Sequence, residues 1–219
     1  MAVVVSEDGS FYDHNGFDWF ELRESFKKDM KTGHFSRGGS TITQQLAKNL
    51  YLTKEKSLFR KIREAIIASQ IEEILTKEEI LEKYFNVVEF GPEVYGIRAA
   101  AHFYFSKQVS ELTVAEGAWL AMLLPNPSKN YQSFRKGTLS PFARREVSKI
   151  INRLVSFRKI SQGNADEALM EMDVLFSKKA ITSALPAVLG NDKSNVPKVE
   201  GEESTEESSE DSDDSWFGI

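Results

Sequence analysis

The most informative segment of the chain is Gly38-Gly39-Ser40-Thr41-Ile42-Thr43-Gln44-Gln45-Leu46-Ala47-Lys48-Asn49. Thr41 and Gln44 fit the capping box, in which a hydroxyl and a side-chain amide cap each other's backbone N–H groups. A helix is therefore predicted to begin near residue 42, after a flexible pair of glycines. The same signature predicts helices near residues 77 and 114, where its pairs are Thr76 with Glu79 and Thr113 with Glu116.

The helix predicted near residue 42 has a polar face and an apolar face. At helical spacing, Thr41, Gln45 and Lys48 share the polar face. The neighbouring face, which can pack inward, carries Ile42, Leu46 and Leu50. Exposed N–H groups and the helix dipole attract anions to a helix N-terminus, and Lys48 would add a full positive charge. A plain amphipathic helix with an exposed lysine fits the same pattern, so the residues alone leave an anion site open.

Helical periodicity extends over most of the chain, and strand-like alternation is rare and short. The helix predicted near residue 114 is expected to stop at Pro125 and Pro127. Ser140 before Pro141 predicts the start of another helix. Gly91, Pro92 and Gly96 predict a loop between helices, close to whatever cleft the fold makes. The fold class predicted from these patterns is mostly α.

Composition separates a globular body from an acidic tail. Of 219 residues, none is cysteine and three are histidine, which excludes a disulfide framework and makes a structural zinc site improbable. Residues 199–219 hold nine acids and no base, so residues 1–198 carry 28 bases against 24 acids, a net charge of +4. The Glu/Ser/Asp-rich end cannot bury enough apolar area to repay its ordering entropy, and we expect it to be disordered.

Few features of the sequence indicate membrane insertion or a particular class of partner. No window of 18 or more apolar residues occurs, and no basic segment followed by an apolar stretch opens the chain, so neither a transmembrane helix nor a signal peptide is predicted. A mildly basic body suits an anionic partner. Nucleic-acid binding is the weakest candidate, because the basic residues form no long patch interleaved with aromatics.

Two further segments could carry chemistry. Glu7 and Asp8 precede an aromatic residue and His14, although taken alone this pattern favours a solvated turn. In a helix predicted from about residue 54 to 75, the charged stripe is Lys56, Arg60 and Glu64. Arg60 and Glu64 could be a surface pair worth about 0.3–0.5 kcal/mol. If the stripe instead faces Lys48 across a cleft, three cations surround one place that would hold a pyrophosphate.

Four motifs in order resemble the peptidoglycan glycosyltransferases, which occur as monofunctional enzymes and as the N-terminal module of bifunctional penicillin-binding proteins. The segment from Glu7 to Gly16 resembles E-D-x-x-F-x-x-H-x-G, and Gly38 to Lys48 resembles G-G-S-T-[IL]-T-Q-Q-x-x-K. Arg60 to Glu64 resembles R-K-x-x-E, and Ile80 to Asn86 resembles I-L-E-x-Y-L-N. Arg145 to Leu154 loosely resembles the family's last motif. The resemblance covers roughly residues 3–160, and four motifs in sequence are far more specific than one.

The resemblance implies a lysozyme-like head lobe, a smaller membrane-facing lobe and an extended cleft between them. It implies a glycosyltransferase domain over residues 1–180 and an acidic tail over 181–219. Glu7 is expected to be the catalytic base, and Glu64 the second acid, beside the donor's pyrophosphate. The substrate-binding residues are expected to be Asp8, Phe11, His14, Gly39, Ser40, Thr41, Gln45, Lys48, Lys56, Arg60 and Asn86, with no metal ligand among them.

The implied reaction polymerises lipid II into β-1,4 glycan strands by an inverting displacement. Glu7 would take the proton of a sugar hydroxyl, and Lys48, Lys56 and Arg60 would stabilise the departing pyrophosphate. A divalent cation, Mg²⁺ or Mn²⁺, is expected to bridge the pyrophosphate oxygens. Expected partners are lipid II, the growing glycan, the membrane surface and other cell-wall synthesis proteins. The implied location is the outer, periplasmic face of the bacterial inner membrane.

The chain begins only six residues before Glu7, whereas family members usually place a membrane-spanning helix upstream. Either the sequence is a truncated copy, or membrane contact depends on an aromatic-rich segment. The members of that segment are Phe17, Trp19, Phe20, Phe26, Met30 and Phe35. These residues could equally fill the core.

Three alternatives stay open from the sequence. A lytic muramidase would share the lysozyme-like lobe and a glutamate but would have no need of the Thr41, Gln45 and Lys48 face. A catalytically inactive wall-binding or scaffold module is the rival from another class. The acidic tail is expected to be a solubilising extension, and its alternative role is to fold back onto the cationic cleft as a competitor.

Overall fold

The computed structural model describes residues 1–19, 23, 39–52, 57–135 and 139–175. Gly38, Lys56 and the predicted acidic tail over 181–219 lie outside these residues. The boundary at residue 180 and the disorder of the tail therefore stay predictions.

The described residues are mostly helical, as the periodicity predicts. In chain order the helices are α1 (Ala2–Glu7), α2 (Ile42–Tyr51), α3 (Leu58–Ile74), α4 (Lys77–Val87), α5 (Ile97–Phe105), α6 (Val114–Leu123), α7 (Pro127–Arg135), α8 (Pro141–Ser156) and α9 (Gln162–Leu175). Short 3₁₀ turns cover Phe11–Asp13 and Val109–Glu111. Two short strands, β1 (Glu89–Gly91) and β2 (Val94–Tyr95), pair antiparallel.

The helix starts predicted from capping signatures are confirmed, because each depends on a local interaction. The helix predicted from about residue 54 begins at Leu58 instead, with Ser57 as its N-cap. Thr41, Thr76 and Thr113 each accept a hydrogen bond from the backbone N–H three residues on, and the reciprocal side chain closes the capping box. The hydroxyl of Ser140 likewise accepts a hydrogen bond from the backbone N–H three residues on, and Pro141 lies in the first turn of α8. Helix α6 ends before Pro125 as predicted, but Pro127 begins α7 instead of prolonging a loop.

Two local predictions need correction. The loop predicted at residues 91–96 is a hairpin, in which Glu89 lies opposite Tyr95 and Gly91 opposite Val94. Strands of two or three residues are too short to give a periodic signal in the sequence. Leu50 does not pack inward with Ile42, because it lies in the last turn of α2 and is exposed.

Helix α6 forms the centre of the core. Its Trp119, Leu120 and Leu123 are fully buried, and the helix packs against α1, α8 and α9. Burial of one such large side chain contributes about 1.5–3 kcal/mol. Helices α2, α3 and α4 pack together as a second group. The end of α1 meets the start of α2, where the backbone N–H of Ile42 donates to Asp8 at 2.9 Å, so Glu7 lies at the junction of the two groups.

Within the described ranges, no helix is long and apolar enough to cross a bilayer. Phe17 and Trp19 stack with ring centroids 5.7 Å apart, and Trp19 is 72% exposed. The remaining members of the predicted membrane-contacting segment, Phe20, Phe26, Met30 and Phe35, lie outside the described residues. The smaller membrane-facing lobe therefore stays a prediction.

Candidate active site

Glu7 is the last residue of α1, a helix that packing holds in place. Val3, Val4 and Val5 are buried against the core. β-Branched residues have low helix propensity, and six residues are too few for a stable isolated helix, so tertiary contacts must hold α1. The adjacent Asp8 is buried, and the solvated-turn interpretation of this segment is wrong.

The carboxylate of Glu7 accepts a hydrogen bond from Nε2 of Gln45 at 3.0 Å. Burial raises the pKa of Glu7, while the Gln45 hydrogen bond and the charges of Lys48 and Arg153 oppose the rise. Asp8 adds a smaller upward contribution to the same pKa. A partly desolvated carboxylate with a raised pKa is a stronger base than a surface glutamate.

A cluster of three cations surrounds Glu64. Arg60 donates from Nη1 to Glu64 at 3.1 Å, and Lys61 donates to the other carboxylate oxygen. Glu64 is almost fully buried, which rules out the interpretation of Arg60 and Glu64 as a simple surface pair. Lys61 also donates to the hydroxyl of Ser40 at 2.9 Å. We call Lys48, Arg60, Lys61 and Glu64 the cation cluster.

Lys48 links the cation cluster to Glu7. Desolvation lowers the pKa of its ammonium group, and the neighbouring charges of Arg60 and Lys61 add to that decrease. Glu64 and Glu7 act in the opposite direction on the same group. Lys48 therefore interacts electrostatically with both acids. The residue as a whole remains exposed to solvent.

The cation cluster can hold an anion. It contains three positive side chains and one carboxylate, so two positive charges are left over. Arg60 uses Nη1 on Glu64, and its buried Nε has no hydrogen-bond partner among the described residues. A guanidinium and two ammonium groups with surplus charge suit a phosphate or pyrophosphate group.

Asp8 and Thr41 serve the fold in this structure. One oxygen of Asp8 lies 2.9 Å from Nε2 of His14, and the other accepts from Ile42 at the start of α2. Thr41 donates to the backbone carbonyl of Gly16 at 2.7 Å and accepts from Gln44. The Asp8 carboxylate thus occupies the N-terminus of α2, while Lys48 lies farther along α2 and Arg60 and Lys61 lie on α3.

A second set of contacts, made by Lys77, fixes the segment that follows Glu7. Lys77 donates to the carbonyl of His14 at 2.6 Å and pairs with Glu72 at 2.8 Å. Its ammonium group also lies 4.4 Å from the centre of the fully buried Phe11 ring. Phe11 and His14 therefore hold the loop in place, and direct contact of either side chain with a substrate stays a prediction.

The remaining predicted site residues are dispersed. Ser40 reaches the cation cluster through Lys61, and Gly39 precedes it in the chain. Asn86 lies instead on an open apolar groove of about 630 Å³ between α2, α3 and α4, where Leu46, Ile67 and Ile71 also line the wall. The structure does not bring Asn86 into contact with Glu7 or Glu64. Lys56 lies outside the described residues.

Three residues near Glu7 and Glu64 were not among the predicted site residues: Arg153, Lys61 and Tyr84. Arg153, in the last turn of α8, donates to the carbonyl of Ser6 at 3.3 Å and lowers the pKa of Glu7 by its charge. Lys61 stands inside the R-K-x-x-E segment, where its closeness to Glu64 could have been noticed from the i, i+3 spacing. Arg153 gives no such signal, because 147 residues separate it from its partner.

No group of three or more His, Asp or Glu side chains that could hold a metal occurs among residues 1–19, 23, 39–52, 57–135 and 139–175. Both oxygens of Glu64 already accept hydrogen bonds from cations. The described residues therefore do not fit a metal centre held by the protein alone.

Comparison with known proteins agrees with this arrangement. Residues 1–155 match the protein family described as Transglycosylase. A biosynthetic peptidoglycan transglycosylase of Acinetobacter baylyi is 47% identical over 144 residues, which cover 66% of this chain and 64% of that protein. Proteins of the same name from Aromatoleum aromaticum and an Azoarcus species are 46% and 49% identical over 68% and 61% of this chain. The matched regions span 65% and 58% of those two relatives, so the chain covers less than two thirds of each of these relatives.

Proposed function

Because the chain belongs to the transglycosylase family, we propose that it is a peptidoglycan glycosyltransferase that polymerises lipid II into glycan strands. The relatives carry the name of that activity, and the site contains the two parts that the reaction needs. One part is a partly desolvated carboxylate, and the other is the cation cluster. The observation that carries the proposal is the pairing of buried Glu64 with Arg60 and Lys61, together with Lys48, whose charge also acts on Glu7.

In the proposed reaction, Glu7 acts as general base. The 4-hydroxyl of the acceptor sugar loses its proton to Glu7 as its oxygen attacks the anomeric carbon of the donor. The bond from that carbon to the pyrophosphate oxygen breaks, and its electron pair leaves with the lipid pyrophosphate. Direct displacement inverts the α linkage of the donor to β in the product.

The cation cluster stabilises the leaving group. Negative charge grows on the pyrophosphate oxygens as the bond breaks, and Lys48, Arg60 and Lys61 already surround that place. Cations positioned before the reaction need no reorganisation in the transition state, which is why such electrostatic contributions are usually large. Glu64 holds Arg60 and Lys61 together and keeps their mutual repulsion in check.

A divalent cation carried by the substrate's pyrophosphate is part of the proposal, although the part of the chain that the structure describes supplies no cage for it. Mg²⁺ commonly takes its ligands from phosphate oxygens, water and only one or two carboxylates. Removal of divalent ions with EDTA is expected to slow polymerisation, and Mg²⁺ or Mn²⁺ is expected to restore it. An unchanged rate in EDTA would show that the cation cluster suffices.

The proposed location is the outer face of the bacterial inner membrane, where lipid II is presented. The exposed Trp19, which stacks on the half-buried Phe17, supports membrane contact at this point of the chain. Binding of the protein to liposomes is expected to weaken when Trp19 is replaced by glutamate. Equal binding of the variant would argue against this contact.

The rival function is a lytic muramidase, which cleaves an uncharged glycosidic link. A cluster with two surplus positive charges has no role in that cleavage, and this favours the transferase. The test is incubation of the full chain, in detergent, with fluorescent lipid II in one sample and with finished glycan in another. The expected result is a ladder of glycan products from lipid II and no shortening of the finished glycan. Shortening of the glycan without a ladder would establish the muramidase, and no reaction in either sample would favour the scaffold alternative.

A further inference from the structure

Tyr84 lies behind the predicted base in a chain of hydrogen bonds. Its phenol donates to Oε1 of Gln45 at 3.1 Å, and Nε2 of the same amide donates to Glu7 at 3.0 Å. The three residues come from α4, α2 and α1, and Tyr84 touches Glu7 only through Gln45. Tyr84 is fully buried.

The chemistry of an amide makes its orientation decisive. One end of the Gln45 amide only donates hydrogen bonds and the other only accepts them, whereas an ionised carboxylate only accepts. Rotation of the amide by half a turn would place its oxygen lone pairs opposite Glu7. That arrangement would repel the ionised carboxylate and leave it without its hydrogen bond.

The phenol of Tyr84 is suited to prevent that rotation. Burial raises its pKa well above the ordinary value, and the charges of Glu7 and Asp8 add to the increase, so the hydroxyl keeps its proton. A rigid setting holds the ring. It packs edge-to-face on Phe85 with centroids 5.7 Å apart, and it lies in a helix whose first turn is closed by the Thr76 capping box.

We propose that Tyr84 is a positioning residue that fixes the amide of Gln45 in the orientation that donates to Glu7. This inference rests on the proposed function, in which Glu7 is the base. It assigns a role to the tyrosine of the Ile80 to Asn86 segment. Tyr84 does not contact the substrate and acts only through Gln45.

The first test compares Tyr84→Phe with Tyr104→Phe. Tyr104 is a matched control, because it is also buried and its phenol donates to the carbonyl of Phe90 at 2.9 Å, away from Glu7. Each variant loses one buried hydroxyl, and both are expected to lose similar thermal stability. Only Tyr84→Phe is expected to lower kcat/KM at neutral pH, by about tenfold, since a hydrogen bond to a charged group contributes a factor of that order. Its acidic limb is also expected to move to higher pH, because an unfixed amide no longer supports the ionised form of Glu7.

The second test asks whether Tyr84 acts through Gln45. In a Gln45→Met background, which has no amide, Tyr84→Phe is expected to cause no further loss of kcat/KM. Tyr104→Phe should have the same effect in both backgrounds. Equal pH profiles for Tyr84→Phe and Tyr104→Phe, or an undiminished effect of Tyr84→Phe without the amide, would overturn the inference.

A substrate-free titration separates this inference from the proposed function. The pKa of the Glu7 carboxyl can be followed by ¹³C NMR in the full chain, with Glu7→Gln used to assign the signal. The expected result is an increase in Tyr84→Phe and no change in Tyr104→Phe. If that result holds while the wild type fails to polymerise lipid II, the positioning role stands and the proposed function falls. If the Glu7 titration is the same in all three proteins, the inference falls whatever the activity.

Discussion

Replacing Lys48 by methionine removes a side chain that interacts electrostatically with both Glu7 and Glu64 while keeping most of its apolar stem. Three cations and one carboxylate form the cation cluster, so the variant lowers its surplus charge from two to one. Arg60 and Lys61 are both bound to Glu64 and cannot fully replace the missing charge. We therefore expect a loss of rate larger than for either of those residues.

The magnitude follows from electrostatics. A cation and a phosphate charge 4 Å apart attract by about 4 kcal/mol in a dielectric intermediate between water and the protein interior. Part of that attraction is already present when substrate binds, so only the growth of charge in the transition state affects kcat. Loss of one such preorganised donor typically lowers kcat by about 10²–10³-fold, and we expect Lys48→Met to fall in that range.

The pH profile gives an independent check of the same residue. Lys48 lowers the pKa of Glu7, so its removal should move the acidic limb of kcat/KM to higher pH. Because the pKa of Lys48 is itself lowered, its deprotonation should contribute to the basic limb of the wild type. Lys48→Arg keeps the charge at all relevant pH values and is expected to move that basic limb to higher pH.

The assay is polymerisation of fluorescent lipid II in detergent across a range of pH. Lys149→Met is the matched control, since Lys149 is exposed on α8 and pairs only with the nearby Glu146 at 2.7 Å. The control should behave as wild type. A Lys48→Met variant that retained kcat within tenfold of wild type, with an unmoved acidic limb, would contradict this role of Lys48.

Three other changes have defined outcomes. Arg153→Gln should raise the pKa of Glu7 and move the acidic limb of kcat/KM to higher pH. Arg144 lies on the same helix as Arg153, and Arg144→Gln, which breaks only an exposed pair with Asp173 of α9, should leave the acidic limb in place. Glu7→Gln should raise the free energy of unfolding at neutral pH. A folded-state pKa above the unfolded value means that ionised Glu7 costs stability, and urea titrations should show the gain disappearing below the unfolded pKa of glutamate. Gly16→Ala should lower the free energy of unfolding by roughly 1–3 kcal/mol, because Gly16 has φ +83° and its added methyl group would lie 3.3 Å from Glu72. Gly163→Ala in α9 meets only Ser161 at 3.8 Å and should not be destabilising; equal losses for the two glycines would contradict the assignment of strain to Gly16.

The parts of the fold that could be predicted are those specified by neighbouring residues. Capping boxes at Thr41, Thr76 and Thr113 involve partners three residues apart, and all three helix starts were correct. Helix α1 gave no comparable signal, because its three valines favour other conformations and only packing against α6 and α8 makes it helical. The hairpin at residues 89–95 was not predicted, because strands of two or three residues are too short to give a periodic signal in the sequence.

The candidate site likewise combines contacts that local spacing predicts with contacts that it does not predict. Gln45 and Lys48 lie on one helical face, so their spacing predicts that both side chains can face one partner. In the structure both interact with Glu7. The contribution of Arg153 could not be predicted, since its partner carbonyl lies 147 residues away. Thr41 and Asp8 are expected to bind substrate, and in the structure Thr41 donates to Gly16 while Asp8 accepts from Ile42. These contacts join residues 25 and 34 positions apart, so sequence spacing could not predict them, and contact of either side chain with the substrate stays a prediction.

The most direct measurement is the rate at which Glu7→Gln polymerises lipid II, relative to wild type and to Glu73→Gln, which alters an exposed residue of α3. Glutamine preserves the shape of Glu7 but cannot accept the proton of the sugar hydroxyl. The expected loss is at least about 10²-fold for Glu7→Gln, the lower end of what a positioned base contributes, with Glu73→Gln unchanged. A Glu7→Gln enzyme that kept the wild-type rate would contradict the assignment of Glu7 as the base.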